Sequence, residues 1–242
     1  MTIGVGIGAL SGFFGIGGGT VLVPVLLLMG FGMKDAVGIS VMQMVFSSIY
    51  GSWLNLKKGS LVLGEGLFVG FGGFAGGYLS GYLAPCIPDR VLQIVFVAFV
   101  VFALLKMHFS TLREEDSESR TLPRPILFSI GAAIGTVAIS IGVGGAIVLI
   151  PVLSGLLHYP VKKAVSAGLF FVVFSSVAGL LGRLMHGEIE LFNGFLVGTG
   201  SLAGVWVGIW LKEHISSRGH KNFIVVMYSV ILVIMIYKMY SI

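Results

Sequence analysis

The sequence predicts an all-α polytopic membrane protein made of two inverted repeats, each a glycine-broken re-entrant or discontinuous helical hairpin plus three transmembrane helices. Composition, segment length and repetition carry this expectation. The 242 residues are 56% hydrophobic and only 10% charged, whereas a soluble domain carries about 25% charged residues; the mean hydropathy is +1.04. Apolar runs of about 20 residues, the length that crosses a hydrocarbon core, recur along the chain. The second half of the chain then repeats the first.

The first apolar segment, about 2–32, contains FGIGGGTVLVP from Phe14 to Pro24, with Gly15, Gly17, Gly18 and Gly19. Each glycine inside a helix costs roughly 1 kcal/mol relative to alanine, so a break is expected here. In hydrocarbon, a broken backbone persists only where it is buried in protein or lines a watery cavity. Transmembrane segments over about 36–56, 65–84 and 91–107 complete a first repeat, residues 1–110. Residues 111–125 read as a polar cytoplasmic linker, with Arg113, Glu114, Glu115, Asp116, Glu118, Arg120 and Arg124. The second repeat, 126–242, starts with a re-entrant segment at about 126–157, containing IGVGGAIVLIP from Ile141 to Pro151. Transmembrane segments at about 164–182, 191–211 and 222–240 follow.

The duplication can be checked residue by residue. Ile16 to Leu26 align with Val143 to Leu153 at offset 127; Val45 to Ser48 align with Val173 to Ser176 at offset 128. Gly66, Gly70, Gly72 and Gly76 fall on Gly194, Gly198, Gly200 and Gly204 at that second offset. Secondary transporters commonly place their site between such repeats.

Basic residues favour cytoplasmic loops. If the first segment of each half spans the membrane, the 15 basic residues divide eight against seven. If it is re-entrant, Lys34, Arg90, Arg183 and Lys238 lie on one side and the other eleven on the other. The re-entrant reading gives the asymmetry, and three spans per half then invert the repeats, with the linker in the cytoplasm. No basic n-region precedes the first apolar run, since the first Lys or Arg is Lys34, so no cleavable signal peptide is read here. The lone Cys86 excludes an intrachain disulfide and reads as a core residue.

The charge inventory narrows the function. The stretches 2–32, 36–56, 91–105, 126–157, 164–182 and 191–211 hold no Asp, Glu, Lys or Arg. Intramembrane charges mark proton relays and voltage sensors, and acid–base catalysis needs titratable groups. Neither a buried-carboxylate antiporter nor an enzyme is therefore expected, and neither a cofactor nor a metal site. Backbone and hydroxyl groups remain for holding a solute. A helix N-terminus presents unpaired N–H groups and about +0.5 of a charge, and glycine lets a ligand come close to them. The expected substrate-binding residues are Gly17, Gly18, Gly19 and Thr20 at one break and Ser140, Gly144 and Gly145 at the other. Gln43, Ser47 and Ser175 from the second segments join them. Ser40, Gln43 and Ser47 share one helix face at i, i+3 and i+7. Phe171 replaces Gln43 in the second half and Ala146 replaces Gly19, so the halves are not chemically equal. GxxxG pairs such as Gly66/Gly70 and Gly204/Gly208 read as packing seams.

A duplicated glycine-rich hairpin of the form GxGGGxxxxP (Gly15 to Pro24), its later counterpart VGGAIVLIP (Val143 to Pro151), and Phe174-Ser175-Ser176 together resemble the sulfite exporter TauE/SafE family over nearly the whole chain. The resemblance implies a multi-pass permease of a bacterial or archaeal inner membrane, moving sulfite, sulfonates such as sulfoacetate, or other small anions. Where the potential is inside-negative, export of an anion is favourable by about 2.3 kcal/mol per charge per 100 mV, so no coupling carboxylate is required. The expected function is export by alternating access at the repeat interface. An anion channel, an uptake permease for another sulfur-containing or organic anion, and a non-transporting scaffold stay open as alternatives. The expected partners are the small anion and the bilayer; no nucleic acid is expected, and a homodimer stays open.

Overall fold

Glycine spaced every three or four residues lets helix backbones approach until their Cα atoms touch, and such seams organise the fold. The computed structural model describes residues 1–14, 17–57, 66–109, 123–153, 161–186, 190–214 and 217–240. All the elements among them are helical: α1 (Thr2–Phe14), α2 (Gly19–Leu28), α3 (Met33–Lys57), α4 (Gly66–Cys86), α5 (Asp89–Phe109), α6 (Arg124–Ser140), α7 (Ala146–Pro151), α8 (Val161–His186), α9 (Leu191–His214) and α10 (Ser217–Tyr240). Each long glycine-broken segment is thus two helices, α1 with α2 and α6 with α7. Most of the predicted linker lies outside the described residues. Among the described residues, Met33–Leu54, Gly66–Cys86 and Leu191–Leu211 are long and apolar enough to cross a membrane.

The glycine contacts give the helix directions. Gly4, Gly8 and Gly12 of α1 face Val197, Ser201 and Val205 of α9, so these helices run parallel. The corresponding pair, α6 on α4, places Gly131 on Val69 and Gly135 on Gly73. Helix α4 turns its other glycine face to α8, with Gly66, Gly73, Gly77 and Gly81 opposite Ala167, Phe171, Ser175 and Gly182. Its counterpart α9 presents Gly194 and Gly198 to Met42 and Phe46 of α3. These contacts interchange the halves: α4 packs on α6 and α8, α9 on α1 and α3.

Helices α3 and α8 run antiparallel, since Lys34 meets Arg183, Gly179 faces Val41, and the Ser48 and Ser176 hydroxyls lie 3.5 Å apart. One end of the molecule therefore collects Lys34, Arg183, Asp89, Arg90 and Lys238. The Met33 N–H donates to Asp89 Oδ2 at 3.1 Å, Lys34 Nζ donates to the Pro85 carbonyl at 2.6 Å, and a cavity of about 410 Å³ brings Asp89, Arg90 and Lys238 around Gly30 and Gly32. Helix α1 runs inward from this end beside α9. Helix α2 starts beside Ser40 and Met44 and returns to Met33. In the second half, Gly145 lies at Phe171 and Ile150 at Gly168, so α7 heads for the start of α8.

Two sequence expectations need correction. Cys86 is exposed, not a core residue, because it occupies the last turn of α4, where the helix leaves the bundle. Arg183 was placed beyond its span, yet α8 continues past it to His186 and leaves it only 2% exposed. Its Nη1 donates to the Lys34 carbonyl at 3.4 Å, and Asp35 is near enough to act on its charge.

Candidate functional site

The two helix breaks meet in the centre of the bundle. Helix α6 ends in a Schellman motif: Gly142, at φ +71°, donates its N–H to the Ile139 carbonyl at 3.1 Å, and Val143 donates to Ala138 at 2.8 Å. Gly145 follows at φ +65°, then α7. On the other side Gly17 and Gly18 hold φ +85° and +74° before α2 begins. Left-handed backbone of this kind is strongly disfavoured for residues with a Cβ, which accounts for glycine at the turns. A Cβ on Gly19 would meet the Gly142 carbonyl and lie 2.5 Å from Ser40 Oγ. The start of α2 is thus seated on the α6–α7 turn.

The polar face predicted on α3 lies across both breaks. Ser40 Oγ donates to the Gly142 carbonyl at 2.8 Å, and Ser47 Oγ donates to the Gly17 carbonyl at 3.3 Å. Between them, the Gln43 amide covers Gly18: a Cβ built there would be 3.0 Å from Oε1 and 3.1 Å from Nε2. Gln43 is 0% exposed, and neither amide atom has a hydrogen-bond partner. Thr20, in the first turn of α2, is 1% exposed with its hydroxyl also unpartnered. The Val21 and Leu22 N–H groups donate to the Gly18 carbonyl at 3.2 and 3.1 Å, those of Gly19 and Thr20 before them lie ahead of any intrahelical acceptor, and Gly18 supplies no side-chain cap. Pro24, inside α2, has no N–H to give the Thr20 carbonyl four residues earlier. Donors and an acceptor thus converge on buried glycine backbone.

The second break is built differently. Phe171, the counterpart of Gln43, covers Gly145, with its Cε1 2.5 Å from where a Cβ would lie. Gly144 is buried in the turn, and its carbonyl accepts from the Ala146 N–H at 2.7 Å. Two expected site residues have their hydroxyls engaged elsewhere. Ser140 donates to the Thr136 carbonyl at 2.7 Å and lies 3.0 Å from Ser80 on α4. Ser175 donates to the Phe171 carbonyl within its own helix at 2.6 Å. The structure therefore brings Gly17, Gly18, Gly19, Thr20, Gln43 and Ser47 together, and sets Ser140 and Ser175 toward α4.

Ser40 can be tested directly. Removing its hydroxyl leaves the Gly142 carbonyl buried without its donor, which costs about 1–3 kcal/mol. Ser40→Ala is expected to lower the melting temperature in detergent by several degrees, measured by differential scanning fluorimetry.

A helical bundle with two interrupted helices meeting at its centre, wrapped in exposed apolar faces, has the architecture of a membrane transport protein. The comparisons specify it: the chain matches the family "Sulfite exporter TauE/SafE" over residues 1–237. The chain belongs to that family and is a membrane transporter. It is 29% identical over 189 residues to the probable membrane transporter protein MJ0441 of Methanocaldococcus jannaschii, covering 75% of this chain and 70% of that one. It is 25% identical to the probable membrane transporter protein YdhB of Bacillus subtilis, covering 84% of each, and 21% identical to YunE of the same organism, covering 97% of this chain and 93% of that one. No solved structure matches it.

Proposed function

We propose that the protein is a small-anion permease of the inner membrane, exporting sulfite or an organosulfonate such as sulfoacetate by alternating access between two inverted repeats. The observation that carries this reading is the buried N-terminus of α2, with the unpartnered Gln43 amide against Gly18. A helix N-terminus attracts an anion without any cationic side chain. In a medium that cannot solvate them, unpaired polar groups are costly and are best accounted for by a ligand or waters that pair with them in turn. The site's burial favours a carrier with an occluded state over an open channel.

The grouping of Lys34, Arg90, Arg183 and Lys238 at one end supports the re-entrant, inverted arrangement. A full span in place of each hairpin would put Arg183 and Lys34 on opposite sides. By the positive-inside rule this sparsely basic end faces outward, and Cys86 lies there, close to Pro85 and Asp89. Native Cys86 is expected to react with a membrane-impermeant maleimide in intact cells; labelling only after permeabilisation would reverse the orientation. Function is tested by flux into proteoliposomes with sulfite, sulfoacetate, taurine, thiosulfate and sulfate. Saturable flux of sulfite or a sulfonate, competed by its congeners, is the expected result. Linear, unsaturable flux would indicate a channel, and no flux of any anion a scaffold.

A further inference from the structure

The two breaks share a backbone design but differ in the side chains around them, and the difference has a direction. At the α2 break stand Gln43 and Thr20, both buried and unpartnered. A third such group comes from the far end of the chain. Tyr228 of α10 is 1% exposed, and its hydroxyl has no hydrogen-bond partner. Its hydroxyl lies close to the Thr20 side chain, short of hydrogen-bond geometry. Helix α10 packs against α2 and brings it there.

The repeat offset gives the counterparts at the α7 break. Gln43 corresponds to Phe171, Thr20 to Ile147, and Tyr228 to Val100, all three apolar and buried. Ser11, which lies against Gly18, corresponds to Ala138, which lies against Gly145. Each of the three unpartnered polar groups at the first break, and Ser11 beside them, is thus matched by an apolar residue at the second, whereas Ser47, already bonded to Gly17, keeps a serine twin in Ser175.

We infer that the two breaks have divided their roles: the oxygen atoms of the anion are held at the α2 N-terminus by the Thr20 and Tyr228 hydroxyls and the Gln43 amide, while the α6–α7 turn with Phe171 is an apolar wall. This rests on the permease reading above and adds Tyr228 as a binding residue that determines affinity. Two hydroxyl donors, the amide N–H pair and the Gly19 and Thr20 N–H groups that open α2 suit an oxyanion. They would leave a halide, which has no separate oxygen acceptors to match diverging donors, only partly coordinated. Uncharged donors also agree with a transported ligand, which must leave as readily as it enters.

The test is a kinetic comparison of variants in proteoliposomes with radiolabelled sulfite, or with whichever anion of the panel above the wild type carries. Tyr228→Phe and Thr20→Val each remove one hydroxyl and nearly no volume, and Gln43→Leu removes the amide. Each is expected to raise KM about tenfold, the usual effect of one lost hydrogen bond to a charged partner, with kcat changed less than about threefold. Thr20→Ser, which keeps the hydroxyl, is expected to restore a KM near that of the wild type. Ile147→Val at the matching position, and Ser229→Ala beside Tyr228, are expected to leave KM unchanged. If the wild type carries an anion saturably but Tyr228→Phe, Thr20→Val and Gln43→Leu all keep its KM, the division of roles is overturned while the permease stands. If the wild type carries none of the anions, the permease reading falls and this inference with it.

Discussion

Gly18→Val is expected to abolish anion flux in proteoliposomes while the protein still inserts, purifies and elutes as a single folded species. Gly18 holds φ +74° and ψ −20° as the residue before α2. A left-handed conformation costs a residue with a Cβ about 1–2 kcal/mol, and more for a β-branched side chain, for which it is an outlier. The new Cβ would lie 3.0 Å from both Gln43 Oε1 and Ser11 Cβ, and two γ-methyls would push further into the amide. Either the turn relaxes toward right-handed backbone, swinging the first N–H groups of α2 out of the site, or Gln43 is displaced from it. Both outcomes remove the place proposed for the anion, whereas the packing of α4 and α9, which holds the bundle together, is untouched. Gly145→Val is expected to act likewise, with its Cβ 2.5 Å from Phe171 Cε1 and a φ of +65°. Gly18→Ala, which adds a single methyl, keeps the protein foldable should valine prove too large; its flux is expected to fall at least tenfold, from strain of about 1.4 kcal/mol or more at the site. Near-normal flux in both valine variants would sink the half-helix site.

Much of this arrangement could be read from the chain because it is encoded locally and twice. Glycines spoil a helix wherever they cluster, and repetition at a constant offset separated the meaningful clusters from chance. The i, i+3, i+7 spacing of Ser40, Gln43 and Ser47 is enough to set their common face. What they bond to was not legible: Ser40 reaches Gly142, 102 residues away, a contact that depends on how the two halves dock. Tyr228 went unnoticed for a related reason. It sits in the last helix among Val and Ile residues with nothing nearby to mark it, and only the packing of α10 on α2 gives it a polar neighbour. The signal was present in the repeat: aligning Tyr228 with Val100 exposes a polar residue where its twin is apolar. Arg183 was misplaced because a charge near a segment's end reads as the end itself, whereas α8 continues another turn. Ser47 reaches across to Gly17 as well as back to Met44, whereas its twin Ser175 bonds only within its own helix. Identical residues in a duplicated chain can do different work, because their surroundings have diverged.

The other large effect concerns the seams that allow the two hairpins to meet at all. Gly8→Val and Gly77→Val are each expected to eliminate monodisperse protein, read as loss of the main peak in fluorescence-detected size exclusion. A Cβ on Gly8 would run into the carbonyl of Ser201, and one on Gly77 into that of Ser175. These are backbone atoms of helices packed along their length, so no side-chain rotation relieves the overlap. One surplus methylene in a packed interior costs about 1–3 kcal/mol where side chains can adjust, and here a whole helix must move. Gly6, one residue from the α1 seam's line of contacts, has nothing within 4 Å of where a Cβ would lie, and Gly6→Val is expected to elute as the wild type does. The contrast separates a contact effect from a propensity effect, since all three substitutions put valine in place of a glycine within a helix. It also explains why α1 and α6 are each half of a broken pair. In each broken pair the first helix, α1 or α6, keeps exposed residues while the second is mostly buried, so the first must anchor the turn. The seam of α1 on α9 fixes how far Phe14 reaches inward, and the seam of α6 on α4 does the same for Ser140. If Gly6→Val disrupted the protein as severely as Gly8→Val, the damage would come from valine within α1 itself and not from its contact with α9.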